Sequence, residues 1–256
     1  MRIGLVLAGG QEADQAALAE SHGLFGVLAG RQNPTTAITA AVYASTATRH
    51  SRIGVWVRLG LAHPVTIAEE LSILDNVNNG RTFVIADTGD LEAEAAADEL
   101  AVIREALASL PLQHEGPRWK APAGIPANLT APKAISVTPK IAQLEVPFWV
   151  GGRAAATVAA KSGLPAVADS TSQKSDGRLV QPALADLTGE LAADRAKVWA
   201  WAEAGASHLL VTLPEGRESD LMTMVSRNLV PEVGMPHFPR VMSESSVPLP
   251  WPGRRR

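Results

Sequence analysis

Residues 53–86, IGVWVRLGLAHPVTIAEELSILDNVNNGRTFVIA, hold a strand, a helix and a second strand in direct succession. Ile53–Leu59 is rich in β-branched residues and Trp, as suits a strand buried on both faces. His63-Pro64 opens the helix, where proline fits because the amide it lacks would have no intrahelical partner. Ile67, Leu71 and Leu74 recur at helical spacing and form one apolar stripe. Asn78-Asn79-Gly80 is a helix-stop signal. Thr82–Ala86 is a second short strand. A helix between two strands carries the chain back along the sheet, so the strands lie parallel.

The same alternation runs outward in both directions. Upstream, strands are expected at Ile3–Ala8, closed by Gly9-Gly10, and at Leu24–Ala29, with helices at Asp14–His22 and Pro34–Thr46. Downstream comes a helix at Asp98–Leu110, then the proline-rich, weakly periodic excursion Pro111–Gln143. Phe148–Val150 reads as the fifth strand, followed by a Gly-Gly turn and the helix Ala154–Ser162. Pro165–Ala168, Leu179–Ala183 and His208–Leu213 supply three more strands, the last two separated by the helix Glu190–Ala204. About eight strands in a single composition regime favour one (β/α)8 TIM barrel over residues 1–230, with a reduced insertion at about 111–143. An open doubly wound sheet is the alternative. Prolines at 231, 236, 239, 248, 250 and 252 make residues 231–256 a Pro-rich C-terminal tail without regular structure.

Composition narrows the function. The 256 residues are 46% hydrophobic and 19% charged, enough to bury a large core. A net charge of −3, spread along the chain, gives no footprint for nucleic acid or an anionic membrane. Arg254–Arg256 is the one local basic cluster. The absence of cysteine excludes disulfides, thiolate metal sites and a cysteine nucleophile. The six histidines are scattered without metal-ligand spacing, so no metal is expected. No secretory h-region and no membrane span are found, and a soluble cytoplasmic protein is the expectation.

Two segments carry a resemblance. His63–Arg81, HPVTIAEELSILDNVNNGR, is similar to a His-Pro, Ala-Glu, Leu-Asp, Gly-Gly-Arg pattern, with Asn79-Gly80 in place of the glycine pair. Thr48–Val57, TRHSRIGVWV, leads into it. Pro147–Asp169, PFWVGGRAAATVAAKSGLPAVAD, is similar to a Pro-x-Trp-Val-Gly-Gly strand, turn and helix. Together they resemble the luciferase-like monooxygenase family, which includes bacterial luciferase subunits and F420-dependent oxidoreductases; this chain looks like a short member. The resemblance implies a barrel with a flavin or deazaflavin site at the carboxyl ends of the strands. It also implies a ring platform at the end of the third strand, where relatives often carry a non-proline cis peptide. The family's polar pair after the second strand is replaced here by Gly30-Arg31, which removes a common acid-base candidate.

Gly151-Gly152-Arg153 is the best site candidate on chemistry alone. Two glycines before a helix let the backbone approach an anion, the first helical amides point at it, and Arg153 adds charge. The bland alternative is a tight turn with an exposed Arg. The resemblance implies that this turn holds the phosphate of FMN or coenzyme F420. Asp87 and Asp90 flank Thr88 and Gly89 just past the fourth strand. Asp90 falls where F420-dependent sugar-phosphate dehydrogenases carry an active-site glutamate, and a shielded carboxylate there is a candidate general acid. Either Asp alternatively caps the next helix. Trp56 and Val57 are candidates for the cofactor wall, or ordinary core. His63 reads as structural, and Asp75 and Arg81 as an ion pair across a helix end.

The leading reading is an FMN- or F420-dependent oxidoreductase or monooxygenase acting on a small organic substrate. An FMN enzyme would need a separate flavin reductase. The alternatives are a non-catalytic luciferase-like partner subunit and an unrelated phosphate-ester-binding barrel. A homodimer, or a heterodimer with a homologous subunit, is expected through the Ala-rich helices Pro34–Thr46 and Pro64–Asn76. Substrate contacts are expected from the excursion and the tail.

Overall fold

The structure, a computed structural model, describes residues 1–123, 130, 132–171 and 181–229. The expected tail, the basic cluster in it, and the beginning of the strand expected at Leu179 lie outside the described residues.

Among the described residues, seven parallel strands form the main sheet: β1 (Arg2–Val6), β2 (Gly26–Ala29), β3 (Arg52–Arg58), β4 (Thr82–Asp87), β7 (Phe148–Gly151), β8 (Pro182–Asp186) and β9 (His208–Thr212). A two-residue antiparallel hairpin, β5 (His114–Glu115) and β6 (Lys120–Ala121), lies apart from it. The helices are α1 (Glu12–Ser21), α2 (Ala37–Thr46), α3 (Pro64–Val77), α4 (Ala93–Leu107), α5 (Ala155–Ser162), α6 (Leu191–Glu203) and α7 (Glu218–Met224). The strand order is β7-β4-β3-β2-β1-β9-β8. Helices α1 to α5 pack against one another in chain order.

The sheet curls. β7 and β9 are five inter-strand steps apart, which in a flat sheet would be about 24 Å. Yet the rings of Trp149 and His208, one on each strand, have centroids 5.3 Å apart. Phe83 and Phe25 complete this inner aromatic cluster. Gly54 makes room for it: a Cβ there would lie 2.2 Å from Cζ of Phe83. The segment 165–168 joins both edge strands. Val150 N donates to Pro165 O at 2.9 Å and Val167 N to Val150 O at 2.8 Å on the β7 side. Ala168 N donates to Pro182 O at 2.9 Å and Leu184 N to Ala168 O at 3.0 Å on the β8 side.

The deciding stretch folds as its pattern requires. His63 Nδ1 caps α3 by accepting from Val65 N at 3.2 Å, and Ile67, Leu71 and Leu74 are buried. Asn79 and Gly80 both take positive φ, 56° and 74°, which ends the helix. The expected Asp75–Arg81 ion pair does not form. Asp75 instead accepts from the amides of Ala142 and Gln143 and from the Gln143 side chain. Arg81 is buried among the oxygens of Thr48, Ser51 and Asn78. Each charge is satisfied by neutral dipoles on a different segment, so neither needs the other.

The described part of the excursion packs against α3 and α4. Asp98 of α4 accepts from Arg118 N, Trp119 N and His114 Nε2, while Asn76 of α3 donates to Lys140 O. Of its described residues, Trp119 comes beside the start of α3, stacked edge-on against His63. These bonds tie the described part of the segment to α3 and α4.

Candidate active site

The carboxyl ends of β3, β4 and β7 lie side by side, and the ladder sets what faces what. Trp56 pairs with Ile85 and Ile85 with Trp149; Arg58 pairs with Asp87 and Asp87 with Gly151. Residues paired in register share a face of the sheet. Trp56, Asp87 and Gly151 are thus brought together, and Val57, one residue out of step, is turned to the opposite face. Val57 is the one expected cofactor-wall residue not brought to the site.

The pieces interlock through hydrogen bonds. Trp56 Nε1 donates to Asp87 Oδ2 at 3.1 Å, and Gly89 N donates to Asp87 Oδ1 at 3.0 Å. Thr88, fully buried, donates its amide to Gly151 O and accepts from Ala154 N at 3.1 Å through its hydroxyl. Gly152 has φ +90°, and a Cβ on it would lie 2.2 Å from Asp87 Oδ1 and 2.7 Å from Thr88 Oγ1. Only glycine lets the turn into α5 press this closely on β4. Among the described residues, the two cis peptide bonds precede proline, at Ala121-Pro122 and Thr138-Pro139. The non-proline cis bond implied for the end of β3 is not formed, and the β3–β4 ladder runs unbroken to Arg58.

At the start of α5, the amides of Gly152 and Arg153 donate to no group among the described residues, whereas that of Ala154 is taken by Thr88. Two adjacent free amides at a helix start, behind a glycine turn, are suited to an anion. Arg153 lies alongside, with one guanidinium nitrogen 3.4 Å from Asp90 O and 3.5 Å from Glu92 Oε1.

The two aspartates differ sharply. Asp87 is partly buried and held on both oxygens. The Asp90 side chain is 94% exposed, and its Oδ2 lies 2.6 Å from the Arg58 guanidinium. Neither caps α4, whose N-cap is Glu92 with no side-chain cap bond.

Arg31 was missed as a site residue, because reading Gly30-Arg31 as a loss attends only to what is absent. Its NH1 reaches past β1 to Thr212 Oγ1 at 2.8 Å, at the end of β9, and to Asp186 Oδ1 at 3.3 Å, at the end of β8. The one available signal was its place, immediately after the second strand. Glu99 was also missed. It is fully buried under the β3–α3 loop and accepts from Gly60 N at 2.6 Å. Burial pushes its carboxyl above the usual range, against the lowering effect of that hydrogen bond. No cluster of metal-ligating side chains occurs among the described residues, and no described helix is long and apolar enough to cross a membrane.

A curled parallel α/β sheet with polar side chains gathered at its carboxyl ends defines the class of protein, one in which loops beyond the strands form the site. The chain belongs to the luciferase-like monooxygenase family, whose model matches residues 8–200. Similar solved structures include the monooxygenase RslO1 from Streptomyces bottropensis, at 14% identity and TM-score 0.67, covering 91% of this chain and 99% of that one. The coenzyme F420 dependent tetrahydromethanopterin reductase from Methanopyrus kandleri matches at 12% identity and TM-score 0.65, with 91% and 99% covered. An F420-dependent secondary alcohol dehydrogenase in complex with an F420-acetone adduct matches at 15% identity and TM-score 0.69, with 91% and 98% covered. At these identities the likeness is one of fold. No match was found among curated proteins.

Proposed function

We propose that the chain is a coenzyme-dependent oxidoreductase that binds FMN or coenzyme F420 at the open end of a closed (β/α)8 barrel and acts on a small organic substrate. Segment 165–168, bonded to both edge strands, serves as the eighth stave. The observation that carries the site is the pair of unpartnered amides at Gly152 and Arg153, fixed in place by the Thr88–Ala154 bond. They fit a phosphate ester, and Arg153 adds a cation that an anion can draw from its exposed partners. When bound, the coenzyme supplies the hydride or oxygen chemistry.

The chain's own residues orient, shield and manage protons. Trp56 offers the edge of an indole as a wall, fixed in rotation by Asp87. Thr88 locks the phosphate turn to β4. Asp87, held on both oxygens by Trp56 Nε1 and Gly89 N, is the carboxylate positioned to face the bound coenzyme, whereas Asp90 would first have to leave Arg58. Tyr43 of α2 and Ile73 and Val77 of α3 are exposed apolar side chains and support dimerisation through these helices, with itself or with a homologous subunit. For FMN, a separate reductase would deliver the reduced form.

Titration of the purified protein with FMN and with F420, followed by coenzyme fluorescence, tests the reading. Saturable quenching by one of them is expected. Failure of both to bind removes it.

A further inference from the structure

We propose that Arg31 is the recognition group for a carboxylate-bearing substrate. Both side-chain hydrogen bonds that Arg31 makes among the described residues leave from NH1, to Thr212 Oγ1 and Asp186 Oδ1. Nε and NH2, the other edge of the fork, donate to no group among the described residues. A guanidinium edge with two parallel N–H groups matches a carboxylate bidentately.

The two partners of the ion pair are unequally placed. The Arg31 side chain is 30% exposed and that of Asp186 is 74% exposed. The cation is held among strand ends by the Thr212 hydroxyl, while the carboxylate lies mostly in water. At 3.3 Å through a single oxygen, such a contact is weak and easily exchanged. Asp186 is thus an internal placeholder for an external anion. Lys197, whose Nζ donates to Asp186 O at 2.6 Å, keeps a second cation beside the same strand end. Arg31 reaches β8 and β9 from β2, whereas the turn assigned to the coenzyme phosphate follows β7, so the two anion-binding features stand on different strands.

This assignment rests on the reading of the strand ends as an active site, and its test is separable from the coenzyme titration. The probe is hexanoate, with hexanamide as the uncharged match, added to coenzyme-free full-length protein while arginine Nε–H resonances are followed by NMR. The Arg31 signal, identified by its loss in Arg31→Gln, is expected to move with hexanoate and not with hexanamide. Arg31→Gln is expected to weaken hexanoate binding about tenfold or more, and Asp186→Asn, which removes the competing carboxylate, to strengthen it severalfold. Equal responses to acid and amide, or no gain in Asp186→Asn, would overturn the proposal. So would displacement of hexanoate by whichever coenzyme binds, since Arg31 would then serve the coenzyme's own anionic groups; simultaneous binding supports a substrate role. If neither coenzyme binds but hexanoate does, the coenzyme reading fails alone.

Discussion

The indole of Trp56 crosses its own ladder. Its register partner on β4 is Ile85, yet its Nε1 reaches two residues further along, to Asp87 Oδ2 at 3.1 Å. The ring therefore leans toward the carboxyl end of the sheet and lies over Gly151, whose missing Cβ would stand 3.0 Å from it. Orientation of the ring and orientation of the carboxylate are the same fact. Trp56→Phe keeps the apolar surface and removes the donor, leaving Asp87 Oδ2 to find water. A loss of about 1–2 kcal/mol in unfolding free energy is expected, with weaker coenzyme quenching. Unchanged stability and quenching would show that the pair is incidental.

Gly152→Ala tests the turn into α5. A Cβ would enter the 2.2 Å gap to Asp87 Oδ1 while the backbone stays at φ +90°, so both space and conformation oppose it. A destabilisation of about 1–3 kcal/mol is expected. Denaturant unfolding measures it, and coenzyme affinity is expected to fall with it.

The strands were legible because nearly every one is a short apolar run, buried on both faces, between turn residues. The α3 stripe and its Asn-Asn-Gly stop were legible for the same reason: periodicity and chirality leave few choices. Helix α4 was read as starting at Asp98 but starts at Ala93, since the Ala-rich turn before Asp98 propagates helix without an apolar stripe to mark it. Of the site, the Gly-Gly-Arg turn and the aspartates after β4 could be found by position. Their partners could not, because Trp56 with Asp87, Thr88 with Ala154, and Arg31 with Thr212 are pairings across 31, 66 and 181 residues. Sequence spacing carries no trace of such pairings. The hairpin β5–β6 was missed because two residues per strand give no alternation to read.

The excursion's attachment is expected to titrate. His114 lies 2.9 Å from Asp98 Oδ1 and 3.0 Å from Glu105 Oε2. Burial lowers the imidazole's basicity, but the two carboxylates outweigh it and raise its pKa. Burial likewise opposes ionisation of Asp98, but hydrogen bonds from His114, Arg118 N and Trp119 N hold its pKa below the usual range. The raised group's contribution is complete below the ordinary imidazole value and is lost as pH rises through the folded one. The depressed group's contribution is complete above the ordinary aspartate value and is lost as pH falls through the folded one. Buried Glu99, with its raised pKa, acts in the alkaline direction as well. Melting temperature is therefore expected to fall as pH rises past the ordinary imidazole value of about 6.5, with a shallower drop in His114→Gln. An equal slope in the variant would remove His114 as a cause.

Ile73 and Val77 stand one turn apart on α3, and both are exposed. Ile73→Glu is expected to shift the protein to monomer in sedimentation velocity with little change in its melting temperature, since half of the residue's surface faces outward. A monomeric parent, or a variant that stays dimeric, contradicts dimerisation through this face.

The most direct test is a crystal of the protein soaked separately with FMN and with F420. Density for a phosphate within hydrogen-bonding distance of the Gly152 and Arg153 amides is the expected result. A coenzyme bound with its phosphate elsewhere, or a soaked crystal in which those amides meet only water, would contradict it.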